Sequence, residues 1–218
     1  MKNLNNKEHD VKDFFTSYSE TFDNIYETKN HTFLERTINN LFRQDMKTRF
    51  DIALSKLSDE KFNSVLDIGC GSGRYSLELL KLNKRVTGID FSESMIKIAE
   101  RYCEKYNNNS RFIVDDYLKY NFKERFDAAI LIGFMDYIQK PEILFSKLVK
   151  DINHLCIFSF PKKFHYLSPQ RIIRYKLRKC PLYLYEKKDV VKLAETFSKN
   201  YQIINNDREF ILLLKLNE

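Results

Sequence analysis

This chain of 218 residues has no tryptophan, four prolines and five glycines. So little glycine and proline excludes a collagen-like or low-complexity chain. The four cysteines, Cys70, Cys103, Cys156 and Cys180, are scattered without metal-ligand spacing or a pairing pattern. That excludes a disulfide scaffold and a zinc module; they read as reduced thiols of a cytoplasmic protein, with no metal site expected. No apolar run approaches the length of a membrane span, and mean hydropathy is -0.48. The first residues, Met1-Lys2-Asn3-Leu4-Asn5-Asn6-Lys7, are polar and lack the apolar region of a signal peptide. Acidic residues are in deficit: 30 Asp and Glu face 37 Lys and Arg, a net charge of +7. The deficit is local, because no Asp or Glu occurs from Ile152 to Tyr185. Such a balance suggests an anionic partner: nucleic acid, a membrane surface or an acidic small molecule. With 43% hydrophobic residues the chain can bury a core, and its length fits one domain with a decorated periphery.

The few glycines are concentrated. Three of the five fall in Val65-Leu66-Asp67-Ile68-Gly69-Cys70-Gly71-Ser72-Gly73, and a fourth in Val86-Thr87-Gly88-Ile89-Asp90. An apolar run ends in an acid and a glycine turn; a second apolar run then ends in another acid. This reads as strand, turn, helix, strand, acid, half of a nucleotide-binding α/β unit. Glycine lets the backbone turn sharply at a strand's carboxyl end and approach a ligand where a Cβ would collide. Asp90 is placed to accept hydrogen bonds from ribose hydroxyls. The dinucleotide fingerprint Gly-x-Gly-x-x-Gly needs its third glycine where this chain has Arg74, and no Gly-Lys-Ser/Thr of a P-loop follows. Cys70, inside the turn where a small residue is required, is read as packing and not as a nucleophile.

Further along, elements alternate. Strands are expected near 63–68, 85–89, 111–114, 127–132 and 154–160, with a closing pair near 201–206 and 209–216. Helices are expected from Arg74 to Lys81, from Ser92 or Glu93 to about Tyr106, from Pro141 to about Lys150, and near 188–199. The alternation predicts an α/β fold, a mainly parallel sheet with helices on both faces. Residues 1–60 carry aromatic and aliphatic residues at helical spacing and are expected to form an N-terminal helical cap. Residues 61–218 form the main domain, with a basic insertion at 161–187.

The glycine turn resembles motif I of the class I methyltransferases, and Ile89-Asp90-Phe91-Ser92 resembles their acidic motif after strand two. The resemblance covers residues 63 to about 216. It implies a Rossmann-like fold of seven strands, the last antiparallel, and S-adenosylmethionine as cofactor with S-adenosylhomocysteine as product. It implies that Gly69, Gly71 and Gly73 shape the turn, with Gly69 and Gly71 contacting the cofactor's amino-acid part. Asp67 would support its ammonium, directly or through water. Asp90 would bind the ribose, with Phe91 against the adenine. Val114-Asp115-Asp116-Tyr117 resembles the motif that meets the adenine amino group, with Asp116 the aligned acid and Asp115 the alternative. Gly133 follows strand four beside the expected sulfonium.

The acceptor side is read from the remaining loops. The prolines of an Asn/Asp-Pro-Pro-Tyr motif are missing from Gly133-Phe134-Met135-Asp136-Tyr137, which argues against nucleic-acid amines as acceptors. Asp136 and Tyr137 are the general-base candidates, and His165 a further one. Arg171, Arg174 and Arg178 share one face if helical, suited to a carboxylate or phosphate on the acceptor. Tyr18, Phe22 and Tyr26 are candidates for a lid over the cofactor, Tyr18 and Tyr26 also for contact with the acceptor, and Arg43 and Arg49 for the cofactor's carboxylate. The run Phe158 to Tyr166 also resembles magnesium-protoporphyrin O-methyltransferases. The cap and the Gly133–Tyr137 loop depart from that family, so its porphyrin acceptor is not implied. The expected function is methyl transfer to an O or N atom of a small, anionic acceptor, with no nucleic-acid partner. An RNA-modifying enzyme and a non-catalytic binding protein of this fold stay open, as does the oligomeric state.

Overall fold

The computed structural model describes residues 47–177 and 180–216, and for Arg174 the backbone alone. The apolar run Val65 to Ile68 explains the architecture. It forms β1 (Ser64–Ile68), whose last four residues are all buried, as a strand covered on both faces must be. β1 pairs in parallel with β2 (Arg85–Asp90) on one side and with β4 (Phe126–Leu131) on the other. β3 (Ser110–Val114) extends the first side and β5 (Ile152–Pro161) the second. β6 (Tyr201–Asn206) and β7 (Glu209–Lys215) close the sheet in the order β3-β2-β1-β4-β5-β7-β6. β7 runs antiparallel to both neighbours. The sheet of seven strands, six in one direction, is the fold expected from the alternation.

The helices bury the strand residues on both sides. α1 (47–57) and α2 (Arg74–Lys81) cover one face, where Ala53, Leu57, Leu79 and Leu80 meet Val65, Ala128, Ile130, Ile157 and Ile211. α4 (Pro141–Asp151) and α6 (Lys187–Phe197) cover the other, where Leu144, Phe145 and Val190 meet Leu66, Ala129, Phe158 and Leu212. Consecutive strand residues thus enter opposite cores, as the two-residue period of a strand requires. Phe145 stacks on Phe158 with centroids 4.5 Å apart, worth about 0.5–1.5 kcal/mol beyond the area buried.

Most expected elements agree with the structure to within two residues. The helix after β2 divides, as α3 (Glu93–Cys103) and a 3-10 turn (Glu104–Tyr106). The basic segment contains α5 (Ser168–Leu177), and Arg178 lies outside the described residues. α1 packs on the sheet through Ala53 and Leu57, whereas residues 1–46 of the expected cap lie outside the described residues. The chain leaves β1 towards β2 and β3, then returns to β4 on the other side. That change of direction opens a crevice at the carboxyl ends of the strands, where open α/β sheets bind ligands.

Candidate active site

The glycine turn occupies that crevice. Gly69, Gly71, Gly73 and Gly133 all have positive φ, a conformation strained for any residue with a Cβ. Their surroundings differ. A Cβ on Gly69 would lie 2.5 Å from the Phe134 ring, and one on Gly73 would lie 2.8 Å from the Ala99 Cβ. Gly73 therefore lets α2 start hard against α3. A Cβ on Gly71 or Gly133 would meet nothing within 4 Å. At those two positions the backbone borders open space, the cradle a bound group would fill. Gly88 makes room on the neighbouring strand: a Cβ there would lie 2.9 Å from the Cys70 Sγ. Cys70 is buried, and burial pushes its thiol well above the usual range, so it packs as a small apolar side chain.

Two acids sit under the turn. Asp90 ends β2 and accepts hydrogen bonds from the Gly71 N–H at 3.0 Å and the Ser92 N–H at 2.9 Å, one on each oxygen. Each oxygen keeps lone-pair capacity for a further donor, which a pair of ribose hydroxyls would supply. Burial raises its carboxyl above the ordinary value, against those two hydrogen bonds. Asp67 accepts the Ser76 hydroxyl at 2.6 Å. Burial raises Asp67 to about 7, aided by the charge of Asp90. Phe91 is half-buried at the end of β2. At the end of β3, Asp115 is exposed and accepts the Asp116 N–H, while Asp116 accepts the Leu118 N–H and pairs with Lys119. Tyr117 does not join them. It lies in the core, its hydroxyl donating to Asp151 at 2.9 Å, and is thereby removed from the expected cofactor contacts.

The loop after β4 carries an arrangement that sequence spacing does not disclose. Asp136 and Arg171 are both buried and paired with each other. The Tyr175 hydroxyl donates to the same Asp136 oxygen at 3.2 Å and lies 3.1 Å from the Tyr137 hydroxyl. Arg49 makes a forked pair with Glu209 at 2.9 and 3.0 Å. Two cations and two anions from four separate segments thus form one buried cluster. Burial lifts the Asp136 carboxyl above its ordinary value, opposed by Arg171. At Glu209 burial acts in the same sense, but Arg49 and Arg171 outweigh it and the carboxyl lies below its usual range. Asp136 Oδ1 and Arg171 Nε are buried without a hydrogen-bond partner among the described residues.

This cluster corrects several expectations. Arg171 is not part of an exposed anion-binding face, since its charge is met by Asp136. Arg49 is engaged by Glu209, so it is not free for a cofactor carboxylate. Burial keeps the Tyr137 hydroxyl protonated, making it a hydrogen-bond donor before a base. His165 lies 3.3 Å from Asp207 in the β6–β7 turn, and its Nδ1 accepts the Leu167 N–H, so its ring braces that corner. Tyr18, Phe22, Tyr26, Arg43 and Arg178 lie outside the described residues, as does the Arg174 side chain. Sequence reasoning missed Ser76, Tyr175 and Glu209. Only Ser76 left a signal, a small polar residue one helical turn after the glycine loop. A cavity of about 560 Å³ lined by Phe62, His154, Leu155, Tyr201 and Leu213 lies at the opposite, amino end of the parallel strands, away from these groups.

Comparison with known proteins agrees with this geometry. Residues 65–155 match the family model of a methyltransferase domain. The chain is 31% identical over 115 residues to a probable cobalt-precorrin-6B C(15)-methyltransferase (decarboxylating) of Thermoplasma acidophilum, covering 49% of this chain and 55% of that protein. It is 32% identical over 83 residues to a ubiquinone biosynthesis O-methyltransferase of Coxiella burnetii, covering 38% and 36%. The chain thus spans about half or less of the length of these relatives. In fold it is similar to magnesium protoporphyrin IX methyltransferase of Synechocystis, solved with bound S-adenosylhomocysteine. There the TM-score is 0.77 at 20% identity, over 96% of this chain and 100% of that one. A 1,6-didemethyltoxoflavin-N1-methyltransferase of Burkholderia thailandensis gives a TM-score of 0.71 at 13% identity, over 97% and 89%. Residues 65–155 thus match a methyltransferase domain, and nearly the whole chain shares the fold of magnesium protoporphyrin IX methyltransferase.

Proposed function

We propose that the chain transfers a methyl group from S-adenosylmethionine to an O or N atom of a small acceptor. The observation that carries this reading is Gly71: positive φ, open space where a Cβ would stand, and its N–H held by the carboxylate of Asp90. When bound, the cofactor supplies an electrophilic methyl on a sulfonium. The chain's own residues hold and align it. Gly69, Gly71 and Gly73 shape the cradle, Asp90 receives the ribose hydroxyls, and Asp67 supports the ammonium. Phe91 and Asp116, or Asp115, flank the adenine. Gly133 leaves room where the methyl would project, beside the Phe134 ring, whose face favours a cation.

On the acceptor side, Arg171 and Tyr175 fix the Asp136 carboxyl, whose Oδ1 is buried, so Asp136 holds the loop after β4 in place beside the acceptor and does not itself meet the acceptor's proton. Alignment of nucleophile and methyl supplies most of the rate, since effective molarities in oriented pairs reach about 10⁵–10⁸ M. The relatives' names specify carbon, oxygen and nitrogen acceptors in turn, so they do not select the atom. An anionic acceptor is the finer part of the proposal, supported by the acid-free stretch from Ile152 to Tyr185, although Arg171 no longer contributes to it.

The test is a titration of wild type and Gly71→Val with S-adenosylhomocysteine, with folding checked by circular dichroism. A branched side chain would occupy the cradle and strain the turn. Binding by wild type and its loss in a folded variant are expected. Equal affinity of the two would make the turn purely structural.

A further inference from the structure

α5 has an outward face that the proposed chemistry does not use. Arg171 and Tyr175 point inward to Asp136, one helical turn apart. On the opposite side Ile172, Ile173 and Leu177 are exposed, Leu177 at 79%, with Lys176 among them. Just before the helix Phe164 is 75% exposed, and Tyr166 is also exposed. Of nine large hydrophobic side chains exposed among the described residues, five lie in residues 164–177. Clustered exposure of this kind marks an interaction surface, whereas scattered apolar residues need no explanation.

The occupant is indicated by charge. This apolar face lies within the acid-free stretch from Ile152 to Tyr185, where Arg174 and Lys176 fall between the apolar residues and Lys162, Lys163, Arg178 and Lys179 flank them in sequence, Lys163 being paired with Glu186. Aliphatic side chains with cations before, among and after them in sequence are the composition of a segment that lies in a bilayer interface: the apolar face enters the acyl boundary and the cations meet anionic headgroups. A nucleic acid would use the cations but would leave Ile172, Ile173 and Leu177 in water. No described helix is long and apolar enough to cross a membrane, so the contact is with the surface. We propose that residues 164–177 dock this protein on an anionic lipid surface through Phe164, Tyr166, Ile172, Ile173 and Leu177.

The test is co-sedimentation of the full chain with vesicles of phosphatidylcholine alone and with added phosphatidylglycerol. Binding to the anionic vesicles, weak binding to the neutral ones and release by salt are expected. The double variant Ile173→Asp, Leu177→Asp should partition at least about tenfold more weakly, with unchanged circular dichroism. If the double substitution unfolds the chain, Ile173→Ser alone, on the same outward face, serves as the folded comparison. No vesicle binding by wild type would overturn the proposal, because another part of the chain or an RNA would then be the occupant. Equal binding to neutral vesicles would overturn it too. So would concentration-dependent dimerisation of the wild type that the same substitutions abolish, which would make a second copy the occupant.

Discussion

Asp67 and Asp90 show how two carboxylates of one crevice come to differ. Both are buried, but Asp90 is held by two backbone N–H groups, whereas Asp67 has the Ser76 hydroxyl and the neighbouring charge of Asp90. Asp67 therefore titrates near 7 in the folded chain, against 3.8 as the ordinary value. Between those values the folded state holds a proton that the unfolded state has released. Stability from this group is therefore lost as pH rises from about 4 to about 7. Asp67→Asn removes the titration, so its melting temperature should fall less than that of wild type across this range. Parallel pH profiles in thermal melts would show that Asp67 does not carry the raised value. Both acids were legible in the sequence, because each ends an apolar run. What Ser76 does to Asp67 was not, because that hydrogen bond exists only once α2 has folded back on β1.

At the scale of elements, the glycine turn was readable and the Asp136 cluster was not, for a definable reason. Gly73 and the periodicity after it give α2 its limits, and Pro141 gives α4 its start; both are local signals. The spacing of Arg171, Arg174 and Arg178 says only that a helix would put them on one face, and Arg171 does lie on α5. It cannot say which side of that helix turns inward, since the packing of α5 against the loop after β4 decides it. Glu209 begins β7, between β5 and β6, and its partner Arg49 lies 160 residues away in sequence, beyond any local signal. The cluster should behave as a unit. Arg171→Met leaves the Asp136 carboxylate buried beside Glu209 without its cation, at a cost of about 3–5 kcal/mol. The double variant Arg171→Met, Asp136→Leu should cost less than the sum of its single substitutions in urea unfolding, since it removes both charges. Additive effects would mean that the pair is not coupled.

For the whole molecule, function turns on where the ligand crevice lies. The strand order reverses between the parallel neighbours β1 and β4, and the glycine turn, Asp90, Asp116, Gly133 and Asp136 all gather at the carboxyl end of that junction. The larger described cavity lies at the other end, among Phe62, Leu155 and Tyr201, where nothing resembles a cofactor cradle. These two ends make opposite claims, and a crystal structure of the full chain grown with S-adenosylhomocysteine decides between them. Density is expected in the crevice, with the ribose hydroxyls on Asp90, the adenine beside Phe91 and Asp115 or Asp116, and the amino-acid part over Gly69 and Gly71. Ligand density in the cavity at the amino end of the strands, with the glycine turn empty at saturating concentration, would contradict it.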